Sequence, residues 1–210
     1  MKLYVFPIAP NPTKVRLYLA EKAALGCRIP LEEVRVDLLA RQQRSPEHLA
    51  RNPFGTLPVL ELDSGRHLIE SLVIIDHLEA LHPSPAMFGD DPEERSLARQ
   101  IERVADLGVL LPIGAIVHAT DSPVGYPPNP AVADHQRKRL PPGLRYLEGL
   151  LADGRPFLAG DRPTVGDCTL AAALQFGRFR KLELLDGYPG LAAWDARYRS
   201  RETAKSVLVV

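Results

Sequence analysis

Residues 52–71 read NPFGTLPVLELDSGRHLIES, and this stretch decides the fold. It holds two β-prone runs, Thr56–Leu62 and His67–Ile69, which are joined by the four polar residues 63–66. A link of that length with a glycine in it is typical of a β-hairpin. Over Ser71–Leu81 the apolar residues recur with a helical period. The stretch therefore predicts an antiparallel hairpin followed directly by a helix.

Upstream of the hairpin, strand and helix signals alternate. Lys2–Phe6 is a short β-prone run that is apolar on both faces, as in a buried strand. Helical spacing follows over Val15–Ala23, then a second strand over Leu31–Val36 and a weaker helical stretch over Ser45–Ala50. The full order is βαβαββα. A parallel βαβ unit followed by a hairpin and a closing helix is the thioredoxin-like arrangement.

The character of the sequence changes after the closing helix. Residues 83–91 place prolines among small residues, which is typical of a linker. The run Asp91–Glu94 supplies a capping aspartate, a proline suited to the first helical position and a glutamate that can complete a capping box. No convincing strand follows. We therefore predict an α/β thioredoxin-like domain over 1–82, a linker over 83–91 and an all-helical domain over 92–210.

Two features give finer detail in the helical domain. Pro141–Pro142 predicts a break or kink in the helix that follows it, because proline lacks the N–H that an interior helical residue donates. Thr164–Asp167 precedes the apolar run Cys168–Leu174 and predicts a second capping box. Trp194 is expected to be a helix-packing residue.

Composition excludes several classes of protein. The 210 residues are 45% hydrophobic and carry 26 basic and 26 acidic side chains, so the formal net charge is zero. Proteins that bind nucleic acid normally carry a basic excess, so no nucleic-acid partner is expected. The two cysteines, Cys27 and Cys168, form no CxxC or metal-ligand pattern and fit a reducing compartment. Residues 1–12 do not resemble a signal peptide, and the apolar run Leu107–Val117 is too short to span a bilayer. We expect a cytoplasmic protein with no metal and no membrane partner.

Two short motifs have residue types that suit a peptide-like ligand. If the peptide bond of Leu57–Pro58 is cis, the backbone of Leu57 turns outward and is free to pair with a ligand, although an ordinary trans edge proline is the commoner case. Glu70–Ser71 lies where a strand meets a helix N-terminus, whose free N–H groups suit a carboxylate. Glu70 can accept from an ammonium group, so the pair fits an amino-acid zwitterion. A capping serine beside an exposed glutamate is the plainer alternative.

The loop between the first strand and the first helix is a third candidate. It reads Ala-Pro-Asn-Pro-Thr over residues 9–13. In a thioredoxin-like fold this loop faces Leu57–Pro58, and helix N-terminal N–H groups there stabilise a thiolate. A proline-rich turn without function is the alternative.

Taken together, these motifs resemble the cytosolic glutathione transferases. The resemblance rests on RSPE at 44–47, NPFGTLPVL at 52–60, Glu70–Ser71 and KVR at 14–16, together with the linker and the capping box at 164–167. It covers the whole chain. It implies a thioredoxin-like domain that binds glutathione and a helical domain that supplies the cosubstrate pocket.

The resemblance also implies roles for particular residues. The backbone of Leu57, beside a cis Pro58, should pair with the cysteinyl part of glutathione. Glu70 and Ser71 should hold the γ-glutamyl end, and Gln43 should lie near the glycyl carboxylate.

The catalytic position departs from the family pattern. Ala9 stands where many relatives have Ser or Cys, and Val5 stands where a Tyr-using member has Tyr. Asn11 is the nearest side-chain donor, and the resemblance favours it as the group that hydrogen-bonds the glutathione sulfur. Backbone N–H groups near residues 11–13 would have to assist. Tyr4 is a reserve candidate that fits the core better.

For the cosubstrate pocket, the candidates are Asp106, Leu107, Leu110, His118 and Tyr126. Three functions remain open. The first is a glutathione transferase that acts on small hydrophobic electrophiles. The second is a glutathione-dependent disulfide reductase or peroxidase, and the third is a non-catalytic interaction protein with the same fold. The resemblance implies a homodimer and no cofactor, with glutathione as cosubstrate.

Overall fold

The computed structural model describes all 210 residues. The N-terminal part contains a four-stranded sheet in the order β2-β1-β3-β4. Strand β1 pairs with β2 in parallel and with β3 antiparallel, and β3 pairs antiparallel with β4. The thioredoxin-like arrangement predicted from the sequence is confirmed. Its elements are β1 (Lys2–Val5), α1 (Pro10–Ala24), β2 (Glu32–Arg35), a 3₁₀ turn (Gln42–Arg44), α2 (Pro46–Arg51), β3 (Val59–Glu61), β4 (His67–Ile69) and α3 (Ser71–Leu81).

The rest of the chain is helical, with no further strand. A single long helical rod begins at Pro92 and ends at Thr120, and a π-helical segment lies in its middle. The elements are α4 (Pro92–Val104), the π segment (Ala105–Leu110), α5 (Leu111–Thr120), α6 (Pro130–Leu150), α7 (Val165–Phe179), α8 (Pro189–Ser200) and α9 (Glu202–Lys205). Helix α3 ends at Leu81 and α4 begins at Pro92, while the domain bounds given above stay predictions.

One hydrophobic core joins the two parts. A cluster of 39 buried residues runs from the sheet through α1 and α3 into the helical part, so neither part encloses a separate main core. Trp194 is fully buried in this cluster and stacks on Tyr198, as expected of a packing residue. The rod Pro92–Thr120 is long and apolar enough to cross a membrane by length and composition alone, but it lies in this core against α6 and α7.

The predicted break at Pro141–Pro142 and the predicted capping box at 91–94 are absent, whereas the capping box at 164–167 is present. Helix α6 runs through Pro141–Pro142 without a break, because Leu140, Leu144 and Leu147 are buried on both sides of the pair and hold the helix in place. Asp91 caps α4 as predicted, but Glu94 accepts from the backbone N–H of Asp90 instead of Asp91.

The predicted capping box at 164–167 is present. The Asp167 carboxylate is fully buried and accepts from the backbone N–H groups of Leu158 and Thr164 and from Trp194 Nε1, at 2.9–3.0 Å. Burial raises the pKa of Asp167 to about 6, and the hydrogen bonds only partly offset that rise.

Candidate active site

A cleft of about 410 Å³ lies where the first turns of α1 and α3 meet the long helical rod. Its walls come from both parts of the chain. Both polar and apolar side chains line it. The lining residues are Asn11, Glu70, Ser71, Leu72, Val73, Arg103, Asp106, Leu107, Leu110 and Leu111. The structure therefore brings together three residues predicted for the glutathione site, at positions 11, 70 and 71, and three predicted for the cosubstrate pocket, at positions 106, 107 and 110.

The first turn of α1 offers one free backbone donor. Pro10 and Pro12 have no N–H, and the N–H of Thr13 donates to the carbonyl of Ala9 at 3.1 Å. Only the N–H of Asn11 has no intramolecular partner. The Thr13 hydroxyl is fully buried and donates to the carbonyls of Pro7 and Ala9. The expectation of several N–H donors at residues 11–13 is therefore wrong, because Pro12 has no N–H and the N–H of Thr13 makes the first intrahelical bond.

Asn11 and Ser71 are linked across the cleft. The Ser71 hydroxyl donates to Asn11 Oδ1 at 3.2 Å. This bond holds the oxygen end of the Asn11 amide. The Nδ2 group has no hydrogen-bond partner in the chain. The sequence predicted both residues as ligand-binding groups but did not predict that they bond each other.

Glu70 has a strained backbone at the N-terminus of α3. Its φ is 70°, in a region that non-glycine residues rarely adopt. Its side chain is exposed and makes no hydrogen bond or ion pair within the chain. Strain of this kind costs about 1–3 kcal/mol and clusters at binding sites. The conformation places an uncommitted carboxylate at the edge of the cleft.

Leu57 has the free backbone that the resemblance implied. The Leu57–Pro58 peptide bond is cis, and neither the N–H nor the C=O of Leu57 takes part in an intramolecular hydrogen bond. Strand β3 begins at Val59, later than the predicted start at Thr56, since Pro58 has no N–H to donate to a ladder. Leu57, Pro58 and Ala9 do not line the 410 Å³ cleft.

Gln43 lies outside the cleft as well. It belongs to the 3₁₀ turn, is 9% exposed, and its Oε1 is buried without a hydrogen-bond partner. A buried acceptor without a partner is uncommon in native proteins. The structure does not bring Gln43 together with the predicted residues at positions 11, 70 and 71.

A buried ion network shares Arg103 and Asp106 with the lining of the cleft. Lys14 and Glu102 are both fully buried, and Lys14 Nζ lies 2.9 Å from Glu102 Oε1 and 3.2 Å from Asp106 Oδ2. Arg103 Nη1 lies 2.9 Å from the same Asp106 oxygen. The Thr169 hydroxyl adds a bond to Glu102 at 3.3 Å. The network ties α1, directly behind Asn11, to the helical rod and to α7.

The π segment gives the cleft its apolar wall. Asp106, Leu107 and Leu110 line the cleft as predicted, and π-helical turns are frequent at functional sites. His118 and Tyr126 do not line it: their rings pack 5.4 Å apart, and His118 also packs on Phe176. Burial and the nearby Arg180 lower the pKa of His118, which fits a packed neutral ring.

Sequence reasoning missed four lining residues. Leu72 and Val73 follow Ser71 directly, while Arg103 and Leu111 lie on the rod. The helical period could have indicated Arg103 and Leu111, because positions 103, 107 and 110–111 fall on one face of a helix. The reserve candidate Tyr4 is buried on the sheet and donates to Glu61 Oε2 at 2.6 Å, outside the cleft.

Comparison with known proteins gives a consistent result. Residues 3–86 match the family model of the glutathione S-transferase N-terminal domain, and residues 130–197 match that of the C-terminal domain. The chain is similar to glutathione S-transferase 2 of Saccharomyces cerevisiae, with 32% identity over 100% of this chain and 90% of the yeast protein. It is also similar to maleylacetoacetate isomerase of Rhizobium meliloti, with 33% identity over 89% of this chain and 91% of that protein.

A solved structure supports the same relationship. The crystal structure of a glutathione S-transferase from Methylobacillus flagellatus KT with GSH bound superposes with a TM-score of 0.82. The identity is 28%, and the match covers 100% of this chain and 99% of that one.

Proposed function

The chain belongs to the glutathione S-transferase family, and from that premise we propose that it transfers glutathione to small hydrophobic electrophiles. The glutathione sulfur, as thiolate, attacks the electrophile and forms a carbon–sulfur bond. The bond to the leaving group breaks, and the leaving group departs with the bonding electron pair. The thiol proton is released to water. The apolar part of the electrophile fits against Leu72, Leu107, Leu110 and Leu111.

The observation that carries the proposal is the donor pair at Asn11. Its Nδ2 group and its backbone N–H are both without partners, and they lie at the positive end of α1. Hydrogen bonds that favour the charged form lower a pKa. A free thiol has a pKa of about 8.5, and each unit of lowering corresponds to about 1.4 kcal/mol. Two donors and the helix end therefore favour the thiolate near neutral pH.

The other predicted residues fit parts of glutathione. We propose that the unpaired N–H and C=O of Leu57 bond the cysteinyl unit in the manner of a short strand. Glu70 binds the γ-glutamyl ammonium, Ser71 binds its carboxylate, and Gln43 lies near the glycyl end. When the ligand arrives, Ser71 exchanges its bond to Asn11 Oδ1 for a bond to the ligand or serves both.

The test is replacement of Asn11 by Ala. Loss of one thiolate donor should raise the pKa of bound glutathione by about one unit and lower turnover of a chloroaromatic electrophile about tenfold at neutral pH. The pH profile of kcat/KM and the ultraviolet absorbance of the bound thiolate both report that pKa. Gln42→Ala, outside the cleft, is the control. Unchanged turnover and an unchanged pH profile would remove Asn11 from this role.

A second function is favoured by Ala9. Because no Ser, Cys or Tyr occupies a familiar catalytic position, disulfide exchange between bound glutathione molecules is the alternative to transfer onto carbon. Parallel assays with a chloroaromatic electrophile and a small disulfide separate the two. Failure to be retained on immobilised glutathione would reject both and favour a non-catalytic interaction protein.

We also propose that the protein is a homodimer. Two large apolar side chains outside the cleft, Leu97 on α4 and Tyr146 on α6, are 50% and 37% exposed. Exposed apolar area of this kind usually marks an interface. Leu97→Asp should shift the sedimentation coefficient towards that of a monomer, whereas a wild-type monomer would contradict the proposal.

A cytoplasmic location is proposed on the state of the cysteines. Cys27 and Cys168 are both free, and Cys168 is buried against Tyr198. Unpaired thiols fit a reducing compartment. Cell fractionation tests this directly, and recovery from an oxidising compartment would reject it.

A further inference from the structure

Acidic side chains outnumber basic ones in the lining of the cleft. Of the residues that line it, Glu70 and Asp106 are acidic, and Arg103 is the only basic side chain. Glutathione with an ionised thiol has two carboxylates, one thiolate and one ammonium, so it brings a net charge of minus two. A carboxylate that enters beside Glu70 therefore needs a cation to offset the repulsion.

Arg103 is fixed in place by the buried network. Its Nη1 donates to Asp106 Oδ2 at 2.9 Å and lies 3.5 Å from Glu102 Oε2. Both of these carboxylates are also paired with the buried ammonium of Lys14, so the four groups together are neutral. The network therefore fixes the orientation of the Arg103 guanidinium. The two carboxylates are also neutralised by Lys14 and do not depend on Arg103 alone.

One edge of the guanidinium is left unused. Nε and Nη2 of Arg103 have no hydrogen-bond partner in the chain, and the side chain is 42% exposed where it lines both the cleft and the neighbouring groove beside Gln100 and Tyr146. These two N–H groups lie on one side of the planar guanidinium, which matches the two oxygens of a carboxylate. A lysine ammonium offers no such fork.

We propose that Arg103 binds a carboxylate of the molecule in the cleft through Nε and Nη2. The inference rests on the proposed function, since it adds a specificity-determining residue to that site. Two ligands can supply the carboxylate: the glutamyl unit of glutathione, which Glu70 and Ser71 would hold close by, or an electrophile that itself carries a carboxylate.

The experiment compares Arg103→Gln with wild type on matched ligands. Glutathione is paired with γ-aminobutyryl-cysteinyl-glycine, which lacks only the glutamyl carboxylate. A neutral chloronitrobenzene is paired with a chloronitrobenzoate. Arg99→Gln is the control, because Arg99 lies one turn earlier on α4, binds Asp76 and does not line the cleft.

If glutathione supplies the carboxylate, Arg103→Gln should lower kcat/KM for glutathione about 10- to 100-fold, mainly through KM. The same variant should change kcat/KM for the aminobutyryl analogue less than about twofold, because that ligand has no carboxylate to lose. If the electrophile supplies the carboxylate, the loss appears only with the benzoate. Arg103→Lys should fall between glutamine and wild type, since it keeps the charge without the fork.

Two outcomes would overturn the inference: equal losses with all four ligand combinations, or no loss with any. If wild type conjugates no electrophile, the proposed function fails by itself. Calorimetric binding of glutathione and its analogue to the wild type and to Arg103→Gln then decides on Arg103. Equal affinity loss for both peptides, or none, would reject it.

Discussion

Gly143 is the position where helix α6 touches the π segment, and its replacement by alanine is a sharp test of the packing. A Cβ at Gly143 would lie 2.6 Å from the carbonyl oxygen of Gly108 and 3.1 Å from its Cα. Folded proteins essentially never show a Cβ contact shorter than 3.0 Å. The atom met is backbone, so it cannot rotate away. The two helices would have to separate by roughly half an ångström.

The expected magnitude has two parts of opposite sign. Alanine in place of glycine in a helix interior gains about 1 kcal/mol in propensity. Overpacking a close contact typically costs about 1–3 kcal/mol, and a backbone-to-backbone clash belongs at the upper end. We expect Gly143→Ala to lower the free energy of unfolding by about 1–2 kcal/mol. For a chain of this size, that corresponds to a fall in Tm of about 2–8 °C.

Gly149 provides the matched control in the same helix. It is exposed, and nothing lies within 4 Å of the Cβ that alanine would add. Gly149→Ala should therefore raise the free energy of unfolding by up to about 1 kcal/mol. Urea unfolding at one fixed protein concentration measures both variants, since a dimer's apparent stability depends on concentration. If Gly143→Ala were as stable as Gly149→Ala, the close helix contact would be refuted.

Two further predictions concern buried charge. Lys14→Met should cost about 3–5 kcal/mol, because Glu102 is then left buried without its ammonium, and the double variant with Glu102→Met should recover at least half of that in chemical unfolding. A loss below about 1 kcal/mol in the single variant would contradict this. Asp167 has a folded-state pKa of about 6 against 3.8 for the free group, so it contributes stability that is fully present below the lower value and lost as pH rises through the upper one. Asp167→Asn removes this titration, so its stability deficit relative to wild type should shrink by about 2 kcal/mol from about pH 4.5 to pH 7, and a constant deficit would argue against the raised pKa.

The parts of the fold that sequence predicts correctly depend on near neighbours. The hairpin over 56–69 and the box at 164–167 each place all their signals within about fifteen residues, so turn chemistry and capping are enough. The failures have distant causes. Pro141–Pro142 does not break α6, because that helix is held by side chains packed on α5, α8 and the π segment. Such contacts outweigh local propensity and leave no local mark in the sequence.

In the site too, features set by neighbouring residues could be predicted and features set by distant contacts could not. Asn11, Glu70 and Ser71 meet in the cleft, and each was recognisable from a short motif at a helix N-terminus. The network behind them was not, since Lys14 and Glu102 are 88 residues apart and a lysine in an amphipathic helix normally faces solvent. Arg103 was missed for the same reason: its orientation comes from that network and not from its own neighbours.

The proline content of the chain also has a physical meaning at this site. The 20 prolines are almost twice the usual share, and two of them are at the first and third positions of α1. A helix N-terminus normally presents several free N–H groups to a ligand. Here Pro10 and Pro12 remove two and the N–H of Ala9 donates to the carbonyl of Phe6, so the positive end of α1 is presented through Asn11 alone. A thiolate held there would meet one backbone donor and one amide donor from the same residue. Asn11→Ala would therefore leave the backbone N–H of position 11 as the only donor to the thiolate at this helix end.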